Sequence, residues 1–249
     1  MHRLILLVLL TFAGRALAQA PVMHPSRAFE SIGAAKAAGA VVWLHGSYDR
    51  DDPPPPEPPF VARFAHDGYD IWRFDRPGPD PLAGSGAALT EDLKALKAQG
   101  YRRIIVAGHS RGAFVSLAAL ALSGVVDAVG AISPAAHGTN PGRAPQAIAD
   151  YKADMAAATP MRLALVQLLD DPFDLDPDGR AEIARATASV DHMQLMLIDR
   201  PPEPVGHDGG LGGAFDGRYG ACLTRFLEGR VGPDACAATP ASRPQSSPP

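Results

Sequence analysis

Short apolar segments alternate with helix-like segments along most of the chain. The apolar segments are rich in Val, Ile and Leu and mostly lack polar residues at every second position, which is typical of strands covered on both faces. They fall at residues 41–44, 69–74, 103–107, 127–132, 163–169 and 192–198. The helix-like segments fall at residues 59–67, 90–98, 110–121, 145–157, 178–189 and 215–227. This alternation predicts an α/β fold, with a mostly parallel sheet of about six strands and helices on both faces.

The second of these helices has a recognisable start. Thr90 is a residue type that caps helix N-termini, and it is followed at once by Glu91 and Asp92. Lys94 and Lys97 come later in the same segment. Acidic residues early and basic residues late complement the helix dipole. We therefore predict that this helix begins at Thr90.

The first residues have the features of a secretory signal peptide. Arg3 precedes an apolar stretch at residues 4–13, and Ala16-Leu17-Ala18 forms a small-x-small cleavage site. We predict that residues 1–18 are removed near Ala18 and that the protein is exported, to the periplasm or to the medium. The alternative is an N-terminal anchor helix, which the shortness of the segment disfavours. No apolar run reaches the ~18 residues that a membrane span needs.

The two cysteines of the chain, Cys222 and Cys236, both lie near its C-terminal end. In an oxidising compartment they are expected to pair, with two buried free thiols as the alternative. Such a bridge contributes about 3 kcal/mol, mainly by restricting the unfolded chain. Residues 237–249 lack an apolar period and are expected to be disordered, which leaves residues 19–236 as a single domain.

Composition excludes several classes of protein. Lys and Arg total 23 against 27 Asp and Glu, so the formal net charge is −4 and no basic field exists to hold a nucleic acid. The chain is 46% hydrophobic and 20% charged, as globular proteins are. No metal-ligand spacing and no phosphate-binding glycine loop is visible, so we expect no metal and no cofactor. A small-molecule substrate is the expected partner, and the sequence does not define an oligomeric state.

A proline-rich segment interrupts the alternation at residues 49–59, which read DRDDPPPPEPP. So many prolines favour an extended polyproline conformation over a strand or a helix. The segment forms either a rim over a pocket or a stiff surface connection. We favour the surface connection, because the segment contains no residue with obvious chemistry.

A candidate nucleophile lies in Gly108-His109-Ser110-Arg111-Gly112, which matches the pattern G-x-S-x-G. An apolar strand segment leads into it, and a helix-like segment rich in Ala and Leu follows. This setting predicts a sharp turn that strains the backbone of Ser110 and exposes its hydroxyl, with the flanking glycines allowing strand and helix to pass closely. His109 is expected to point away from its neighbour. The alternative is an ordinary strand–helix turn that happens to contain a serine.

A serine becomes nucleophilic when a histidine accepts its proton, and a carboxylate must orient that histidine. His207 lies in a glycine-rich loop after the last predicted strand and is the favoured base, with His137 as the fallback. The acid is expected directly after the strand at 163–169, where three aspartates occur. In order of preference they are Asp171, Asp170 and Asp174. Another histidine, His24, falls in a start that looks disordered.

The chain order serine, acid, histidine resembles that of the α/β-hydrolase superfamily, and in particular its serine esterases and dienelactone-hydrolase-like members. The likeness spans about residues 38–230. The segments that carry it are 41–46 (a strand and an HG oxyanion loop), 74–78 (a strand-end D-x-R-G with Pro77 inserted), 108–112 (the nucleophile elbow) and Asp171-Pro172.

This resemblance implies acyl transfer from an ester-type carbonyl to Ser110. The backbone N–H groups of Arg111 and of Ser47 or Tyr48 would hold the developing oxyanion, and His45 would shape the oxyanion loop. Few residues precede position 41, which implies a reduced sheet. Residues 137–160 leave room for one helix over the site but for no large cap domain.

We therefore expect an exported serine hydrolase that cleaves a small ester through Ser110, His207 and Asp171. A peptidase, thioesterase or acyltransferase would use the same three residues with a different pocket. A non-catalytic binding protein could also retain the fold.

Overall fold

The computed structural model describes residues 20–48, 52–76, 82–190 and 192–237. The predicted signal peptide and nearly all of the predicted C-terminal tail lie outside these residues, as do positions 49–51 of the proline-rich segment and positions 77–78 of the D-x-R-G-like segment.

A seven-stranded sheet with the strand order β1-β3-β2-β4-β5-β6-β7 forms the centre of the fold. The strands are β1 (Val22–Pro25), β2 (Gly39–Leu44), β3 (Tyr69–Asp75), β4 (Ile104–His109), β5 (Ala128–Ile132), β6 (Arg162–Gln167) and β7 (Gln194–Asp199). Strands β2 to β7 pair in parallel, and β1 pairs antiparallel with β3. Every residue of β2, β4 and β5 is buried, which explains why these segments lack polar alternation.

Helices cover both faces of the sheet. They are α1 (Val61–His66), α2 (Leu82–Ala98), α3 (Arg111–Ser116), α4 (Ala144–Ala156), α5 (Pro177–Val190), α6 (Gly213–Phe215) and α7 (Ala221–Leu227). A core that includes residues of α2 to α5 fills one face, and a second core that includes residues of α1 and α7 fills the other. The predicted α/β fold, with its mostly parallel sheet and no large cap, is confirmed for the described residues.

The seventh strand was not predicted. β1 is an edge strand of four residues with exposed ends, so its sequence carries no apolar pattern. Its pairing with β3 places His24 in the sheet, where Nε2 lies 2.9 Å from Asp75 Oδ2. The expectation that His24 lies in a disordered start is therefore wrong.

Helix α2 begins well before the predicted cap. Thr90 lies inside the helix, and its hydroxyl donates to the carbonyl oxygen of Gly86 at 2.9 Å. The first half of α2 is built from small residues, which look like a loop in the sequence. In the structure these small residues let α2 lie close to Ala118, since a Cβ on Gly86 would lie 3.4 Å from the Cβ of Ala118.

Cys222 and Cys236 form the predicted disulfide, with their Cα atoms 5.3 Å apart. The bridge ties α7 to the 3₁₀ turn Pro233–Cys236. Within the residues that the structure describes, no helix combines the length and the apolarity required to span a bilayer.

Candidate active site

Ser110 forms the turn between β4 and α3 on its own, since β4 ends at His109 and α3 begins at Arg111. Its backbone has φ 54° and ψ −123°, a conformation that costs energy for any residue other than glycine. Three backbone hydrogen bonds hold it there, one of which is the helical bond from the Phe114 N–H to the Ser110 carbonyl at 3.0 Å. The Ser110 N–H donates to Ile132 O at 3.0 Å, and the Ser110 carbonyl accepts from the Ala135 N–H at 3.1 Å. The surrounding sheet therefore maintains the strained elbow.

The two glycines of the motif are required by close backbone contacts. A Cβ on Gly108 would lie 2.6 Å from the carbonyl carbon of Gly112. A Cβ on Gly112 would collide with the carbonyl oxygens of Leu44 and His45 at the end of β2. Strand β4, helix α3 and the end of β2 therefore meet at a point where no side chain fits.

His207 and Asp171 lie at the same edge of the sheet as Ser110, because they follow β7 and β6 as Ser110 follows β4. His207 Nδ1 lies 2.9 Å from Asp171 Oδ1 and 3.0 Å from Oδ2. The Asp171 side chain is only 1% exposed, and its Oδ1 also accepts from the Phe173 N–H at 2.9 Å. When Nδ1–H donates to this carboxylate, a neutral His207 keeps Nε2 free of a proton.

The other candidate acids and the fallback base have different surroundings. Asp174 lies 3.0 Å from Gln167 Nε2 and 3.1 Å from Arg180 Nη1, in a buried ion pair. Asp170 is exposed. His137 places Nε2 2.8 Å from Asp150 Oδ2.

His109 packs against His207, with ring centroids 4.9 Å apart. Its Nε2–H donates to the backbone oxygen of His207 at 2.9 Å, and burial lowers the pKa of His109, which keeps the ring neutral. Phe173 covers another side of the His207 ring at a centroid distance of 4.4 Å. His109 and Ser110 line one cavity, so the expectation that His109 points away from its neighbour is wrong. The turn at Ser110 leaves the strand, so strand alternation does not separate the two side chains.

His45 stabilises the loop that follows β2. It is buried, its Nδ1–H donates to Gly46 O at 2.6 Å, and its Nε2 accepts from the Arg76 N–H at 3.2 Å. Burial, reinforced by the charge of Arg76, lowers the pKa of His45 to about 4. A neutral ring is what this pair of hydrogen bonds requires. The loop backbone lies close to the elbow, since a Cβ on Gly46 would be 3.2 Å from the Ser110 Cβ.

The residues predicted to stabilise an oxyanion lie around this loop and the elbow. Ser47 and Arg111 line the same cavity as Ser110 and His207. Tyr48 is outside the lining residues, and its ring packs edge-on against His45 at a centroid distance of 4.8 Å. Ser47 is therefore the better placed of the two alternatives.

The cavity has a volume of about 560 Å³ and mostly apolar walls. The apolar residues that line it are Trp43, Pro55, Pro56, Ala135, Ala136, Phe173 and Leu211. The proline-rich segment therefore forms part of the pocket, and its interpretation as a surface connection is wrong. The segment contains no obvious catalytic residue because it contributes to the shape of the pocket.

A family model described as the alpha/beta hydrolase family matches residues 41–242, which is most of the chain. The chain belongs to the alpha/beta hydrolase family. No protein with a curated function matches it.

Solved structures share the fold of this alpha/beta hydrolase. An esterase of Pyrococcus furiosus has 18% identity and a TM-score of 0.59, with 77% of this chain and 83% of that chain covered. A monoacylglycerol lipase of Paleococcus ferrophilus has 13% identity and a TM-score of 0.57, with 86% and 100% covered. An acylaminoacyl peptidase of Pyrococcus horikoshii has 14% identity and a TM-score of 0.58, with 80% of this chain but only 38% of the peptidase covered.

One group of side chains in the described part of this hydrolase could offer three ligand atoms to a cation. It consists of His109, His207 and Asp208, with ligand atoms within 4.8 Å of one another. A cation there would have to replace the hydrogen bond from His109 to His207 O, and Asp208 is 81% exposed. These three residues are therefore better described as two packed histidines beside a surface aspartate than as the ligands of a resident metal ion.

Proposed function

We propose that this alpha/beta hydrolase is a serine hydrolase that cleaves the ester bond of a small molecule through an acyl-enzyme on Ser110. The observation that carries the proposal is the hydrogen bond between His207 and Asp171, because His207 lines the same cavity as a serine held at a strained elbow. The arrangement supplies a nucleophile, a base and an orienting acid at one sheet edge.

In the first step His207 Nε2 accepts the proton of Ser110 Oγ while Oγ attacks the carbonyl carbon of the ester. Asp171 retains its hydrogen bond to Nδ1–H and stabilises the imidazolium that forms. The carbonyl oxygen becomes an oxyanion between the backbone N–H groups of Arg111 and Ser47, with Tyr48 as the alternative to Ser47. Each such donor typically lowers the barrier by ~3 kcal/mol.

The tetrahedral intermediate then breaks its bond to the alcohol oxygen. His207 gives its proton to that oxygen, the alcohol leaves, and the acyl group stays on Ser110. Water next attacks the acyl carbon while His207 accepts a proton from the water. When the bond to Oγ breaks, the proton returns to Ser110 and the carboxylic acid is released.

The cavity walls support an uncharged ester as the substrate, because apolar side chains predominate around the serine. The fold is shared with a peptidase as well as with esterases, so a peptidase, thioesterase or acyltransferase activity is the second candidate. A binding protein without catalytic activity would not need the buried carboxylate of Asp171 hydrogen-bonded to His207. We also propose that the protein acts outside the cytoplasm, on the basis of the signal-like start and the disulfide.

Hydrolysis of p-nitrophenyl acetate by purified protein tests this proposal. Ser110→Ala is expected to lower kcat by about 10⁶-fold, because the three residues act as a unit. Ser189→Ala removes an exposed hydroxyl from the end of α5 and should retain wild-type activity. Matched anilide and thioester substrates measure the preference for esters. Hydrolysis by Ser110→Ala at the wild-type rate would disprove the assignment of Ser110 as the nucleophile.

A further inference from the structure

Two residues of the proline-rich segment, Pro55 and Pro56, line the cavity that contains Ser110, and we call them the proline wall. Consecutive prolines fix φ and leave no backbone N–H to form hydrogen bonds within the segment. The segment is therefore stiff, but its position must be fixed by contacts with the rest of the protein.

A buried ion pair provides that fixing. Glu57, directly after the wall, pairs with Arg73 of β3 at 3.2 Å, and the two side chains are 5% and 9% exposed. Ser26 Oγ donates to Glu57 Oε1 at 2.5 Å. Arg73 Nη2 also donates to the backbone oxygen of Pro55 at 2.9 Å. One guanidinium thus holds both the wall and the residue beside it.

The same contacts extend to the edge strand β1. Arg73 Nε donates to Asp75 Oδ1 at 3.0 Å, and the other Asp75 oxygen lies 2.9 Å from His24 Nε2. The edge strand β1 and the wall therefore share one polar network centred on Arg73 and Asp75.

This network is more than a surface connection requires. Removing a carboxylate and a guanidinium from water is costly, and a solvated loop would not need it. Because these contacts fix the wall, its movement away from the cavity would have to break the buried ion pair. The wall is therefore a stiff part of the apolar side of the cavity.

We propose that the proline wall determines substrate size, so that this hydrolase acts on esters with a compact apolar group and discriminates against long-chain ones. The inference rests on the proposed ester hydrolysis. The apolar group that meets the wall can be the acyl chain or the alcohol, and two substrate series distinguish them.

The test compares kcat/KM for p-nitrophenyl acetate and octanoate, and for ethyl and octyl acetate. Wild-type protein should favour the short member in at least one series. Glu57→Gln should raise the long-to-short ratio in that series by about tenfold, because a displaced wall admits further methylenes. Arg73 keeps Asp75 as its partner in this variant. The double substitution Pro55→Gly/Pro56→Gly, which loosens the wall without touching the ion pair, should raise the ratio in the same direction.

Glu91→Gln is the matched control, because it removes a carboxylate from an exposed pair with Lys94 on α2. It should leave both ratios unchanged. Ratios within twofold of wild type in both wall variants, or a wild-type preference for the long esters, would overturn the proposal. A wild-type protein that hydrolyses no ester and reacts with no fluorophosphonate would instead refute the proposed function, and the role of the wall with it.

Discussion

The three aspartates after β6 show how one residue position decides a role. Asp171 turns its carboxylate to His207, whereas Asp174 turns to Gln167 and Arg180. The sequence placed all of them at the right sheet edge, because they follow a buried strand. Only the path of the loop distinguishes the aspartate that contacts His207 from the one that contacts Arg180.

Asp171→Asn is expected to lower kcat by about 10⁴-fold with little loss of stability, because an amide can favour the wrong tautomer of His207. Asp174→Asn is expected to retain most of the activity. It should lower the free energy of unfolding by about 3 kcal/mol, because Arg180 stays buried without a carboxylate. Steady-state kinetics and thermal melts of both variants measure the two effects. The reverse pattern, with Asp174→Asn inactive and Asp171→Asn active, would assign the acid to Asp174.

At the scale of elements, the elbow depends on close packing between a strand, a helix and the neighbouring strand end. Gly112→Ala should prevent this packing, because its Cβ would meet the carbonyl oxygens of Leu44 and His45. We expect loss of activity together with a drop in Tm of about 10 °C or more. Gly217→Ala is the control, since nothing lies within 4 Å of a Cβ there, and its Tm should be at least that of wild type. Equal melting of the two variants would contradict the packing account.

The elements that the sequence predicts well are the strands that are buried on both faces of the sheet. Strands such as β2, β4 and β5 are covered on both faces, so their apolar runs are evident in the sequence. β1 is held only by its pairing with β3, and the first half of α2 depends on small residues packed against Ala118. Tertiary contacts decide these elements, and no local pattern records them.

The same distinction applies to the site. The elbow has a local motif, and the positions of His207 and Asp171 in the loops after two predicted strands suggested both residues. The contact of His109 with His207 joins residues far apart in the sequence. The ion pair of Glu57 with Arg73 depends on how the fold brings the proline-rich segment to β3. A lone glutamate within a run of prolines was the available signal, and its partner could not be inferred without the fold.

At the scale of the whole molecule, buried acids make stability depend on pH. Burial, reinforced by Asp150, raises the pKa of Asp154 on α4 to about 6. The native state therefore binds this proton more tightly than the unfolded chain does, and stability falls as pH rises from about 4 to about 6. The ionised carboxylate destabilises the fold at every higher pH.

Asp154→Asn removes this cost and should raise Tm at pH 8 by about 2 to 4 °C, which corresponds to ~1 kcal/mol for a chain of this size. The gain should be smaller at pH 5, where the wild-type carboxyl is largely protonated. Asp234→Asn, at an exposed position, should show no such pH-dependent gain. Thermal melts at the two pH values measure it, and a lower Tm for Asp154→Asn at pH 8 would contradict the burial argument.

The most direct test of the account is the position of the covalent adduct that a fluorophosphonate forms with the wild-type protein, mapped by mass spectrometry of its peptides. We expect one adduct per chain, on Ser110, formed much more slowly in Asp171→Asn. An adduct on another residue, or ester hydrolysis that continues with Ser110 unmodified by the reagent, would contradict it.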